Sequence, residues 1–256
     1  MVSFKLTDTP VNIVSINAAG GGSDVAQNTW IEIKGTGLAP NSIGSSGFSW
    51  STAPEFASNK MPTQLQGVSV KVNNKPAYVY WISPTQVNVL TPLDNTQGTV
   101  QVQLINGSNT SPPFTVNMRA LAPAFLFSLS NGKKYVVGQH NDYSLIGPAV
   151  MSVSGYSFRP AKPGESIVLY ASGFGLPETT LVGGSATQFG ALPAPLPAVR
   201  IGGVPAMVSF AGVIAPGLYQ LNVVVPSSDN GYGDNTITAS YAGFTTPVGA
   251  VIPVQP

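Results

Sequence analysis

Val70-Lys71-Val72-Asn73-Asn74-Lys75-Pro76-Ala77-Tyr78-Val79 aligns without a gap against Val199-Arg200-Ile201-Gly202-Gly203-Val204-Pro205-Ala206-Met207-Val208. Each stretch alternates apolar and polar residues, turns through two amide or glycine residues, and resumes alternation after a Pro-Ala pair. Alternation of period two marks a strand with one buried face, and two such runs about a short turn read as a hairpin. The same plan written twice means two copies of one supersecondary unit, not one large catalytic body.

The repeat extends in both directions. Ile31-Glu32-Ile33-Lys34-Gly35-Thr36-Gly37-Leu38 matches Ile167-Val168-Leu169-Tyr170-Ala171-Ser172-Gly173-Phe174, a strand running into a glycine-bearing turn. Gln86-Val87-Asn88-Val89-Leu90-Thr91-Pro92 matches Gln220-Leu221-Asn222-Val223-Val224-Val225-Pro226, where the last proline denies the ladder a donor and closes the strand. The 28 glycines and 23 prolines are spread throughout, so helices have almost no uninterrupted run. The expected fold is all-β: two tandem immunoglobulin-like antiparallel β-sandwiches with a packed connector. The expected boundaries are an N-terminal strand or arm at 1–9, a first sandwich at 10–118, a connector with a hairpin at 119–159 and a second sandwich at 160–256. Phe125, Phe127, Tyr135 and Val137 of the connector are expected to pack across the junction. Residues 39–66 form the longest irregular stretch and carry Phe48, Trp50 and Phe56; long ordered loops often carry function.

The 256 residues suffice for one large or two ordinary domains, and 43% are hydrophobic, so core material is ample. Charged residues make up 8%, against about 25% in average soluble domains. The net charge is +1 with Lys and Arg scattered singly, which argues against nucleic acid and anionic membrane surfaces as partners. Cysteine is absent, which leaves the compartment open. The opening Val2-Ser3-Phe4-Lys5-Leu6-Thr7-Asp8 lacks the parts of a signal peptide, compatible with a mature region behind a new start codon. No apolar run approaches the ~18 residues that a membrane span needs.

The ordered series Met61-Pro62-Thr63, Leu65, Gly67 to Val70, the Asn73 to Tyr80 hairpin and Ile82-Ser83-Pro84-Thr85-Gln86-Val87-Asn88-Val89-Leu90-Thr91-Pro92 resembles the bacterial IPT/TIG type of immunoglobulin-like domain. With Ala122-Pro123-Ala124-Phe125, Gly147-Pro148, Pro163-Gly164-Glu165, Ser172-Gly173-Phe174-Gly175 and Pro216 to Asn222, it is similar to an uncharacterised two-part family of secreted acidobacterial proteins. The resemblance covers roughly residues 10 to 245. It implies an extracellular or cell-surface bacterial module and carries no settled activity.

Chemistry is sparse. His140 is the only histidine; it reads either as a base oriented by Asp142 or as a polar turn residue, and no Gly-x-Ser-x-Gly elbow supplies a nucleophile. Zinc is disfavoured by one histidine and no cysteine. Asp229 and Asp234 flank amides and glycines that suit either a calcium loop or an ordinary turn. Otherwise no cofactor is expected. The ten acidic residues fall in no acid/base motif, and Gly20 to Gly22 lack the rest of a phosphate loop. A lysine–asparagine isopeptide bond is open from sequence. An enzyme is not expected.

Surfaces are the better candidates. If Val79 and Trp81 enter the core, Tyr78 and Tyr80 point outward, where amphipathic rings suit sugar or protein contact; alternatively the connector covers this face. Trp50 carries the same ambiguity. Val2, Phe4 and Leu6 alternate with Ser3, Lys5 and Thr7, which suits strand addition to a neighbouring subunit, pairing within the domain, or a frayed end. The expected function is a non-catalytic extracellular structural or adhesive module, self-assembling through edge-strand pairing. Its partners would be itself or another surface protein. The alternative is a carbohydrate-binding module using exposed Tyr and Trp, with polysaccharide as the partner.

Overall fold

The protein is described by a computed structural model over residues 9–227 and 231–256. The assembly strand expected at Val2, Phe4 and Leu6 lies outside these residues, as does Asp229. Helical structure among the described residues is confined to single 3-10 turns at Asn41–Ile43, Trp50–Thr52 and Ala149–Met151, and no helix is long and apolar enough to cross a membrane.

The longer strands of the first sandwich are β1 (Asn12–Ala18), β2 (Trp30–Thr36), β3 (Val68–Val72), β4 (Tyr78–Ile82), β5 (Gln86–Leu90), β6 (Gly98–Asn106) and β7 (Phe114–Met118). One sheet runs β1–β2–β5–β4 with Phe48–Ser49 at its edge; the other runs from Asp24–Val25 through β7, β6 and β3 to Gln64–Leu65. Alternation places Ile31, Ile33, Val87 and Val89 of one sheet against Val70, Val72, Val102 and Leu104 of the other, all buried in one core.

The second sandwich continues with β8 (Phe127–Ser130), β9 (Lys133–Val136), β10 (Ser166–Ser172), β11 (Ala198–Ile201), β12 (Val204–Ala215), β13 (Leu218–Val224), β14 (Gly233–Tyr241) and β15 (Ala250–Val254). The chain is thus two tandem immunoglobulin-like sandwiches, and the duplication holds strand by strand. β2–β5–β4 recurs as β10–β13–β12, and β3–β6–β7 recurs as β11–β14–β15. The Pro-Ala pair marks the point where the chain changes sheets. Lys75–Pro76 pairs with β3, and from Tyr78 the chain pairs with β5 in the opposite sheet. β12 makes the same passage without a break: Val204, Pro205 and Ala206 pair with β11, and Met207 onward pairs with β13. A proline lacks the N–H that would extend the first ladder, so the crossing falls beside it in both copies.

Residues 119–159 differ from the expected connector. Phe125, Val136 and Ile146 belong to the second core. β9 pairs in parallel with β15, while Ala124–Phe125 and Gly138–Gln139 pair with β10. In the first copy the same places are filled by Asp24–Val25, parallel to β7, and by β1 on β2. Without these segments β10 and β15 would present open edges, and the alternating apolar residues of the segment have a face to bury. Phe127 does lie toward the first sandwich, beside Gly21.

Candidate functional site

The inward set of β2 leaves Trp30, Glu32 and Lys34 on the outer sheet face, and that of β5 leaves Gln86 and Asn88. The register sets Glu32 opposite Asn88 and Lys34 opposite Gln86. On β4 the ladder slips between Val79 and Trp81, so Val79 and Ile82 are buried and Tyr80 is the extra residue, 39% exposed. Such a bulge re-aims side chains. Trp81, which strict alternation would put beside Val79 in the core, is only half-buried because of this slip and lies against Gly47. Tyr80 points outward as expected. Tyr78 does not: its ring lies on Gly183 and Gly184 of the second sandwich, where a side chain at Gly184 would stand 3.0 Å from the ring, and burial pushes its phenol pKa up.

Trp50 heads a 3-10 turn whose cap, Ser49, accepts a hydrogen bond from the Ser51 amide. Its ring meets Tyr80 edge-on at 5.0 Å and Trp30 at 5.7 Å, Trp30 meets Tyr80 at 5.5 Å, and Phe56 stacks obliquely on Trp50 at 5.4 Å. Two of the residues expected to bind, Trp50 and Tyr80, are therefore brought together with Phe56 of the long loop and with Trp30, which sequence reasoning did not nominate. Trp30 was findable as the outward-facing start of a strand that continues outward with Glu32 and Lys34. Its indole N–H donates to the Pro216 carbonyl at 2.7 Å, which fixes the ring against the second sandwich.

These rings form one wall of an apolar cleft of about 560 Å³ at the junction; Leu126, Ala186, Ala215, Pro216 and Leu218 of the second sandwich form the other. The volume falls in the range of about 300–1,000 Å³ usual for small-molecule sites. Glu32 and Asn88 supply polar groups at its lining. Glu32 is offset by Lys34 at 3.0 Å, and Gln86 Nε2 donates to Asn88 Oδ1 at 3.0 Å. Ties between the sandwiches hold the two walls together. Asn28 Nδ2 donates to Gln188 Oε1 at 2.8 Å, Asn59 Nδ2 to Thr187 Oγ1 at 2.8 Å, and the Met61 amide to the Gly184 carbonyl at 2.7 Å.

His140 is neither a free base nor a solvated turn residue. It is buried, with Nδ1 at 2.8 Å from Glu165 Oε1 and Nε2 at 3.1 Å from the Arg159 carbonyl, so both ring nitrogens are engaged. Asp142 orients Ser144 and Arg159 instead; hydrogen bonds from the Ser144 hydroxyl and amide are the leading cause that lowers its pKa to about 2. Asp234, expected as a possible calcium ligand, accepts from Lys133 Nζ at 2.6 Å and from the Tyr135 hydroxyl at 2.9 Å. Among the described residues no group of three or more His, Cys, Asp or Glu could hold a metal ion.

No curated protein matches the sequence. Among solved structures the chain is similar to SGBP-B of the Bacteroides ovatus mixed-linkage glucan utilization locus, in complex with a mixed-linkage heptasaccharide. The identity is 11% and the TM-score 0.36, covering 98% of this chain and 47% of that one. It is also similar to the Escherichia coli adhesin FdeC, at 10% identity and TM-score 0.29 over 96% of this chain and 66% of that one. A third is the Yersinia pseudotuberculosis adhesin InvE, at 13% identity and TM-score 0.22 over 91% and 58%. The chain spans less than two thirds of the length of each. A family model does match within the chain: residues 10–117, the span of the first sandwich, fit the IPT/TIG domain.

Proposed function

We propose that this chain is a non-catalytic extracellular or cell-surface module that adheres by holding carbohydrate in the cleft between its sandwiches. The observation that carries this is the cluster of Trp30, Trp50, Phe56 and Tyr80 on a wall whose indole is fixed by the Pro216 carbonyl. Rigid aromatic rings offer apolar surface to the C–H faces of a sugar and lose little entropy on binding, while a few amides fix orientation. The histidine that might have served catalysis is spent on a structural clamp. Retention on polysaccharide affinity gels tests the proposal. Tyr80→Ala should weaken retention by about tenfold, as the loss of one aromatic contact predicts, with a melting temperature close to the parent's; Trp50→Ala should weaken retention as well and also lower the melting temperature, because Trp50 packs on the first core. Failure of the parent to bind any polysaccharide, or full binding by both variants, would refute it.

A second reading, self-assembly by strand addition, is favoured by β1. Among the described residues it lies at the end of its sheet, with Val14 63% exposed. Light scattering that finds only monomer at high concentration removes it.

A further inference from the structure

Resting on the reading of the cleft as a saccharide site, we infer that the ligand is a linear, uncharged polysaccharide lying across the cleft and along the outer sheet faces of both sandwiches. The ground is a duplicated polar surface on either side of the aromatic wall. On β13, Tyr219, Leu221 and Val223 are buried, so Leu218, Gln220 and Asn222 share the outer face. Leu218 lines the cleft, and Gln220 and Asn222 follow it outward in steps of about 7 Å, as two-residue spacing on a strand requires. On the other side, Trp30 and the row Glu32–Asn88 line the cleft and the row Lys34–Gln86 leads away from it.

The two sides carry the same device at equivalent positions of the repeat. Gln220 Nε2 donates to Asn222 Oδ1 at 2.8 Å, as Gln86 does to Asn88 at 3.0 Å. Among the described residues each pair leaves the glutamine carbonyl and the asparagine N–H groups without a protein partner. An acceptor and a donor side by side match a hydroxyl-bearing chain, since each sugar hydroxyl both gives and takes a hydrogen bond. Beside the second pair stand Tyr170, opposite Gln220, and Phe210, opposite Asn222, both partly exposed. Charge gives acidic polymers no hold: Glu32 and Lys34 form an ion pair, and Val168, Tyr170, Phe210, Gln220 and Asn222 on the neighbouring face of the second sandwich are all uncharged. The aromatic wall belongs to the first copy alone, since Ser166 and Ser209 stand where the repeat has Trp30 and Tyr80. The cleft therefore acts as the anchoring subsite and the amide pairs as flanking ones.

Isothermal titration of the whole protein with cello- and manno-oligosaccharides, from disaccharide to hexasaccharide, tests the inference. Affinity should rise with chain length. The variant carrying Gln220→Ala and Asn222→Ala should lose about tenfold on the hexasaccharide, the worth of one or two net hydrogen bonds, and its affinity should level off at shorter lengths. Length-independent affinity, a variant equal to the parent on hexasaccharide, or tighter binding of oligogalacturonate overturns the linear neutral ligand but leaves the cleft as a saccharide site. Binding of no saccharide by the parent overturns both.

Discussion

Asp94 and Glu165 are carboxylates whose surroundings hold the ionised form in place. Asp94 is buried, which pushes its pKa up. Hydrogen bonds from Asn73, Lys75 and Thr96 outweigh that and hold it well below the usual carboxylate value. Burial likewise raises Glu165, and the Lys162 amide, His140 and Arg159 outweigh it and lower its pKa. A group with a depressed folded-state pKa stabilises the protein above its unfolded value, near pH 4, and that contribution is lost as the pH falls toward the folded value. The melting temperature should therefore change little from pH 7 to 5 and fall steadily from pH 4 to 2; scanning calorimetry across that range checks it. Asp94→Ala removes the acceptor shared by Asn73, Lys75 and Thr96 and should cost about 2–4 kcal/mol in urea denaturation at pH 7. His140→Ala should destabilise by a similar margin of about 2–3 kcal/mol, because Glu165 and the Arg159 carbonyl lose a buried partner, and should leave ligand binding unchanged at the cleft, whose lining does not include it.

Between elements, the turn from β12 to β13 sets the shape of the cleft. Gly217 has φ +65°, and a side chain there would press on Leu90 and the Trp30 indole, at 2.5 and 2.9 Å from the nearest atoms. Gly217→Val adds left-handed strain to that collision, so a loss of about 2–4 kcal/mol and a red-shifted tryptophan emission are expected, measured by denaturation and fluorescence. Alternation made the strands legible: Val70 and Val72, Ile31 and Ile33, and Leu221 and Val223 all face the cores as their spacing requires. It could not show the slip between Val79 and Trp81 that turns Tyr80 out and leaves Trp81 half-buried, because a bulge adds one residue without a distinctive side chain. Nor could it show that residues 124–146 complete the second sandwich, since an apolar edge strand and an apolar connector have the same composition.

The whole molecule is stiffened by the loop that carries Gly183 to Gln188 onto the first sandwich. Lys60 and Ser185 form a β-bridge, and Tyr78, Asn28 and Asn59 all contact this loop. The two sandwiches should accordingly unfold in one cooperative transition. Replacing residues 182–187 with a glycine-serine segment of equal length should split the calorimetric endotherm in two and weaken retention on polysaccharide, since the cleft needs both walls. A single endotherm in that variant would show that the remaining contacts are enough to couple them.

From the order of its residues alone, this chain determines two copies of a pleated unit, their cores, their proline-marked crossings and a surface poor in charge. Those properties follow from local alternation and turn chemistry, which act over a few residues. The cleft was decided only in three dimensions. Trp30, Trp50 and Tyr80 are far apart in the chain, and their convergence depends on a bulge, a capped turn and a carbonyl from the second sandwich. Long-range packing of this kind leaves no periodic trace in a single sequence.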